Sequence, residues 1–130
     1  MPSNIDIIRD GYEAFGRGDV PAVLAIFADD IEWYAPDELP GGGTFHGPGE
    51  VAGFFGALPG IYDDLRVEPD RLLDAGDQVI AEGHHRGRIG GQPFEVGFAH
   101  VWTLAGGRVV RFREYMDSGK LIPLLAKAST

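Results

Sequence analysis

From Leu65 onward, apolar and polar residues alternate in long runs separated by "DAGD", "GG" and "AGG". A period of two with turn residues between the runs predicts strands over about 65–74, 77–89, 92–105 and 109–117. The first third follows a different period. Ile5, Ile8, Tyr12 and Phe15 fall near one helical stripe that Ser3 or Asn4 can cap, and "GRGD" breaks it. Asp19 caps a second helix with Val23, Leu24 and Phe27 inward, and Pro21 is tolerated in its first turn. "DDIEWYAP" reads as a short strand with Ile31, Trp33 and Ala35 on one face. "PDELPGGGTFHGPGE" is too rich in Pro and Gly for anything but a loop, ending where Pro48 and Gly49 start a third helix. In that helix Val51, Phe54, Phe55 and Leu58 stand at i, i+3, i+4 and i+7. A short helix around Leu121, Leu124 and Leu125 closes the chain. Helices first and a strand meander afterward predict an α+β fold: a curved antiparallel sheet wrapped around the N-terminal helices.

Parity then places chemistry. In 92–105 the even positions are Phe94, Val96, Phe98, His100, Trp102 and Leu104, an apolar face interrupted by one imidazole. In the next strand they are Val110, Phe112, Glu114 and Met116, again apolar but for one acid. For both even faces to be buried together, paired residue numbers must sum to an even number. A three-residue turn at Gly106, Gly107 and Arg108 satisfies this, whereas a plain Gly-Gly turn does not. His100 then stands opposite Glu114, their Cβ atoms about 5 Å apart. A Gly90-Gly91 hairpin sets Ala81 beside His100 with Gly83 next along, so small residues leave space. The expected cavity is walled by Trp33, Phe54, Phe98, Trp102, Phe112 and Met116, with Tyr12, Phe15, Phe55, Leu58, Gly83 and His85 as further ligand contacts. The His100–Glu114 pair has two readings: a satisfied structural hydrogen bond, or a general acid/base dyad.

Composition narrows the function. At 130 residues, 44% hydrophobic and 24% charged, the chain is expected to form one domain over 1–130. A net charge of −9, from 11 basic and 20 acidic residues, argues against nucleic acid. Arg111 and Arg113 in "RVVRFRE" alternate with apolar residues, as on a strand's solvent face. No apolar run approaches the ~20 residues of a membrane span. "MPSNIDIIRD" lacks a secretory pattern and there is no cysteine, so a cytoplasmic protein without membrane association is expected. No metal or other cofactor is expected either. His84 and His85 point to opposite faces, and His85 lies too far along its strand from His100 to share an ion. Asp117 and Ser118 read as an N-cap, His46 as a surface residue, and "GGG" at 41–43 lacks the Lys-Ser or Lys-Thr of a phosphate loop.

"YEAFGRGDVPAVLAIFADDIEW", "FHGPGEVAGFF" and "FAHVWTLAGGRVVRFREYMD", in that order and spacing, resemble the SnoaL-like branch of the nuclear transport factor 2-like superfamily. The resemblance implies a cone of helices wrapped by a curved sheet, a deep apolar pocket for a hydrophobic small molecule, and a homodimer. Arg111, Arg113 and Tyr115 on the outer sheet face are candidate interface residues. The ketosteroid isomerases of this superfamily use a tyrosine and two acids at positions matching Gly11, Ala35 and His100, so this chain lacks that tyrosine and base. Phe98-Ala99-His100 does not supply the Arg-x-Asp of the limonene epoxide hydrolases. The polyketide cyclases place a His and an acid on adjacent late strands, and His100 and Glu114 are similar to that pair, with Glu in place of Asp. The resemblance thus implies proton transfer next to a carbonyl, Glu114 or His100 taking the proton and His100 stabilising the enolate oxygen. The competing expectation is a non-catalytic ligand-binding or dimerisation domain, which a solid core around Gly83 would favour.

Overall fold

The computed structural model describes residues 2–128. Ser3 accepts from the Asp6 amide to start helix α1 (Asn4–Gly16), and Asp19 accepts from Ala22 at 3.2 Å to start α2 (Val20–Leu24). The chain continues through β1 (Phe27–Ala35), β2 (Gly43–His46), α3 (Gly47–Ile61), β3 (Asp64–Ala75), β4 (Gln78–Ile89), β5 (Gln92–Ala105) and β6 (Arg108–Met116). A 3₁₀ turn at Ser118–Lys120 and helix α4 (Ile122–Ala128) follow. One curved six-stranded sheet has the order β2-β1-β6-β5-β4-β3, with α1 packed on β3 and α3 on β1 and β2. Among the described residues no helix is long and apolar enough to cross a membrane.

Three expectations change. The sheet is not wholly antiparallel, because β1, arriving from the helical half, lies parallel to β6 with Trp33 beside Phe112. The segment 36–50 is not all loop. Gly43–His46 adds an edge strand to β1, with Phe45 opposite Trp33. Phe27 does not end the second helix, which is five residues long; it opens β1 and is buried there.

The β5–β6 register reaches the expected pairing by another route. Gly106 and Gly107, with φ of +60° and +79°, make a two-residue turn in the left-handed region that glycine adopts without penalty, and Ala105 pairs with Arg108. Taken alone, this turn would put Glu114 on the wrong face. A β-bulge corrects it: Leu104 pairs with Val109 and Thr103 with Arg111, leaving Val110 as the extra residue. Beyond the bulge His100 faces Glu114 and Trp102 faces Phe112. Val109 rather than Val110 is therefore the fully buried residue at the turn.

Two apolar clusters fill the concave side. One gathers Ile8, Val23, Phe27, Trp33, Val51 and Phe112 with their neighbours, and the other gathers Leu39, Tyr62, Ile89, Val96, Leu121 and Leu125. Trp33 is the hub of the first, stacked on Phe112 at 3.7 Å and 19° and edge-on to Phe55 and Trp102. Each such ring pair contributes about 0.5–1.5 kcal/mol beyond area burial. Along β5, Trp102 belongs to the first cluster and Val96 to the second. His100 stands between them.

Candidate functional site

β5 and β6 put His100 and Glu114 side by side on the inner face, and the two side chains meet. His100 Nε2 lies 2.7 Å from Glu114 Oε2, with both side chains under a tenth exposed. The other imidazole nitrogen is also engaged: Tyr12 Oη from α1 lies 2.6 Å from His100 Nδ1. Trp102 Nε1 donates to that same hydroxyl at 2.9 Å. Since an indole only donates, the Tyr12 hydrogen is free to point at Nδ1, and His100 then donates from Nε2 to the carboxylate. Trp102, Tyr12, His100 and Glu114 form one directed chain. The imidazole is accommodated on an apolar strand face because both of its nitrogens have partners.

His85 supplies the part that strand position did not reveal. It pairs with Val96 on β5, well along from Ala81, the partner of His100. Even so, its Nε2 comes within 3.0 Å of Glu114 Oε2, the oxygen that His100 already holds. Two long side chains lean toward each other across a curved sheet, so the expectation that His85 lies too far from His100 is corrected. The contact is out of line for a hydrogen bond, and His85 Nε2 is a buried nitrogen without a hydrogen-bond partner. The donor atoms of His85, His100 and Glu114 lie within 4.8 Å of one another, the atom types of a two-histidine, one-carboxylate metal centre. An ion there would have to displace the proton that His100 shares with Glu114.

Burial and charge fix the protonation states. Burial alone pushes the Glu114 carboxyl up, but hydrogen bonding to His100, with His85 alongside, outweighs it and holds the group at about 2. Burial pushes the His100 imidazole down, against the pull of Glu114 toward the charged form. Burial also pushes the Tyr12 phenol far above its usual range, and it lifts Tyr62 to about 12 with the Glu114 charge adding to it. At neutral pH Glu114 is therefore a carboxylate, His100 a neutral imidazole and Tyr12 a phenol.

These groups form the polar part of a cavity of about 80 Å³. Its aromatic wall is Phe15, Trp33, Phe54, Phe55, Trp102 and Phe112, and Leu58 and Met116 add aliphatic surface. The 36–42 loop contributes Pro36, Leu39, Pro40 and Gly42, while Tyr62, just after α3, and Leu65 and Val67 of β3 add to the lining.

A family model described as the SnoaL-like domain matches residues 8–112. The chain belongs to the SnoaL-like family, within the nuclear transport factor 2-like superfamily. An uncharacterised protein of Mycobacterium tuberculosis is 30% identical over 115 residues, 87% of this chain and 88% of the relative. A nuclear transport factor 2-like protein of unknown function from Burkholderia pseudomallei superposes with a TM-score of 0.90 at 35% identity, covering 96% of this chain and 98% of that one. TerC, co-crystallised with polyporic acid, superposes with a TM-score of 0.88 at 25% identity, covering 95% and 98%.

Within this SnoaL-like domain two expected ligand contacts are placed elsewhere. Gly83 leaves no space, because a Cβ there would come within 2.2 Å of Glu68 O and 2.9 Å of the Phe98 ring. Backbone of β3 folds over that point at the irregularity between Pro69 and Arg71, and Phe98 fills the rest. Phe98 itself stacks behind His100 at 3.9 Å and edge-on to His85 at 4.8 Å, and it does not line the cavity. It braces the imidazoles from the far side. Ser118 is not a helix cap either; it is buried and donates to Glu38, while Asp117 pairs with Lys120 at 3.3 Å. The exposed His46 gives its backbone amide to Glu50 at 2.8 Å. Arg111, Arg113 and Tyr115 project from the outer face of β6, with Tyr115 half exposed. Tyr12, one residue on from the Gly11 position where the superfamily's tyrosine falls, brings its hydroxyl to His100 Nδ1.

Proposed function

We propose that this SnoaL-like domain binds a hydrophobic small molecule in the aromatic cavity and transfers a proton at a carbon next to a carbonyl. The observation that carries the reading is the 2.7 Å His100–Glu114 bond at the polar part of an otherwise apolar cavity. A buried carboxylate with an aligned imidazole is an arrangement that can serve general acid/base catalysis. In this reading the C–H bond next to the carbonyl breaks and its proton passes to the His/Glu unit. The electron pair moves to the carbonyl oxygen, which takes a hydrogen bond from Tyr12 as that hydroxyl turns from His100. Returning the proton to the same carbon exchanges it, and returning it to another isomerises the ligand. That TerC, 25% identical, was co-crystallised with polyporic acid supports an organic ligand for this cavity.

The packed surroundings of Gly83 favour a second reading, a binding domain without turnover. One experiment separates the two. Polyporic acid and a panel of cyclic and polycyclic ketones are screened for quenching of Trp33 and Trp102, both in the cavity wall. Binders are then incubated in heavy water with wild type, His100→Ala and Glu114→Gln. The expected result is deuterium incorporation by wild type and a loss of about 100-fold or more in both variants. Binding without exchange would overturn proton transfer and leave the binding domain.

A further inference from the structure

Within the proposed proton transfer, on which this inference rests, the structure leaves open which atom receives the proton. His100 is poorly placed to do so. Its Nε2 is committed to Glu114 and its Nδ1 to Tyr12, so it accepts a proton only by breaking a 2.6 or 2.7 Å bond. Glu114 has Oε2 against both imidazoles, and a carboxyl held this acidic is a weak base. His85 differs. Its Nε2 faces Glu114 Oε2 at 3.0 Å, and its Nδ1 has no hydrogen-bond partner among the described residues. The ring lines the cavity with its side chain 8% exposed.

Local sequence explains how His85 is held. On its face of β4 the flanking positions are Gly83 and Gly87, where a Cβ would meet β3 backbone at 2.2 and 1.6 Å. Only glycine lets β3 close over the strand at both points, so His85 is the one side chain larger than alanine between Val79 and Ile89 on that face. Phe98 packs edge-on at 4.8 Å behind it. The groups facing the imidazole are Glu114 from β6 and His100 from β5, and Tyr12 of α1 and Tyr62, just after α3, line the same cavity.

We infer that His85 is the imidazole that takes the ligand's proton, with Glu114 orienting it from behind and the Tyr12–His100 arm left to hold the ligand's oxygen. The division of labour follows from valence. With its Nε2–H on the Glu114 side, 3.0 Å from Oε2 though out of line, the His85 ring keeps Nδ1 as a lone pair, the tautomer in which a carboxylate-backed imidazole acts as a base. The proton leaves carbon for His85 Nδ1, and the electron pair passes to the carbonyl oxygen. The Nε2–H stays on the Glu114 side, so no co-reactant enters.

The test has a ligand-free arm and a turnover arm. Long-range ¹⁵N correlation spectra of the free protein, with His46 and His84 assigned by substitution, report each ring's tautomer. Expected is a His85 with its proton on Nε2 and a bare Nδ1, a preference lost in Glu114→Gln. A His85 protonated on Nδ1 overturns the inference. In heavy water, with a chelator present and the ketone that wild type exchanges fastest, His85→Gln is expected to lose about 100-fold or more in rate. Its Kd for polyporic acid should stay within about threefold. If His85→Gln exchanges within threefold of wild type while His100→Ala does not, His85 is not the base and the proposed function stands on His100. If wild type exchanges no ketone that binds, the proposed function fails and the role of His85 fails with it.

Discussion

His84 and His85 are adjacent in sequence and sit in two different solvents. His84 points outward from β4 with its side chain 37% exposed, its Nδ1 2.6 Å from Asp70 Oδ2. Around it runs a ladder of surface ion pairs, Arg71 with Glu82 and Arg86 with both Glu68 and Glu95. His85 points inward, 8% exposed, against a carboxylate that is 9% exposed. Residue type and separation are nearly matched, so the difference is dielectric. Outside, water and salt screen the charge and each pair contributes between nothing and about 1 kcal/mol. Inside, the same groups are desolvated, and leaving one of them unpartnered is costly.

The sharpest way to break that contrast is Glu114→Ala. It leaves His100 without its acceptor and His85 without the carboxylate beside it, and removing one side of a buried pair typically costs about 3–5 kcal/mol. Urea denaturation at pH 7 is expected to show a loss of that order, with Glu114→Gln milder because an acceptor remains. Acid sharpens the same point. The folded carboxyl sits at about 2 and an unfolded glutamate near ~4.3, so the unfolded chain binds the proton first. The stability Glu114 contributes is complete above ~4.3 and is lost as pH falls toward 2. His100, also held below its ordinary ~6.5, has the same sign and makes acidification costly from that value downward. Denaturation across pH is expected to show both losses in wild type and to lack the lower one in Glu114→Gln.

Tyr12→Phe probes the inner region more gently. The ring stays, edge-on to Trp102 at 5.6 Å, while Trp102 Nε1 and His100 Nδ1 lose their partner. Unsatisfied buried polar groups cost about 1–3 kcal/mol, and the loss in a denaturation curve is expected in that range. A neutral outcome would mean that a water replaces the hydroxyl in the chain.

Much of this inner region was legible in the sequence, for reasons that also mark where legibility ends. Alternation with period two placed all four late strands within about two residues, because half-buried strands write their faces directly into sequence. Parity places His100 opposite Glu114, yet it predicts a three-residue turn where the chain makes a two-residue turn and a bulge. "AGGR" gives no sign that Val110 bulges, and the bulge restores what the two-residue turn upsets. Small size at Gly83 suggests space, although a glycine serves equally well where backbone approaches, and here the backbone of β3 decides it. Tyr12 was visible as part of a helical stripe. That it would reach an imidazole 88 residues on depends on how α1 docks, which the stripe alone does not specify. Alternation puts His85 on the inner face but does not connect it to Glu114, because side-chain reach across a curved sheet is not a property of strand spacing.

The smallest expected effect closes the comparison from the outer side. His84→Gln removes one member of the surface ladder, where the Nδ1 contact to Asp70 is not aligned as a hydrogen bond and Nε2 is 3.8 Å from Glu95. Both partners remain about half exposed, and Arg86 continues to pair Glu95 at 3.0 Å. Stability is expected to change by no more than about 0.5 kcal/mol, and the difference should shrink further at high salt. Glu114→Ala should keep its full cost in the same high-salt buffer, because no ions enter the cavity wall to screen it. A loss above about 2 kcal/mol in His84→Gln would break the contrast: the outer face would then be held by its ion ladder as firmly as the inner face is by the buried triad. An imidazole's contribution would follow from its partners alone, and its exposure to water would not matter.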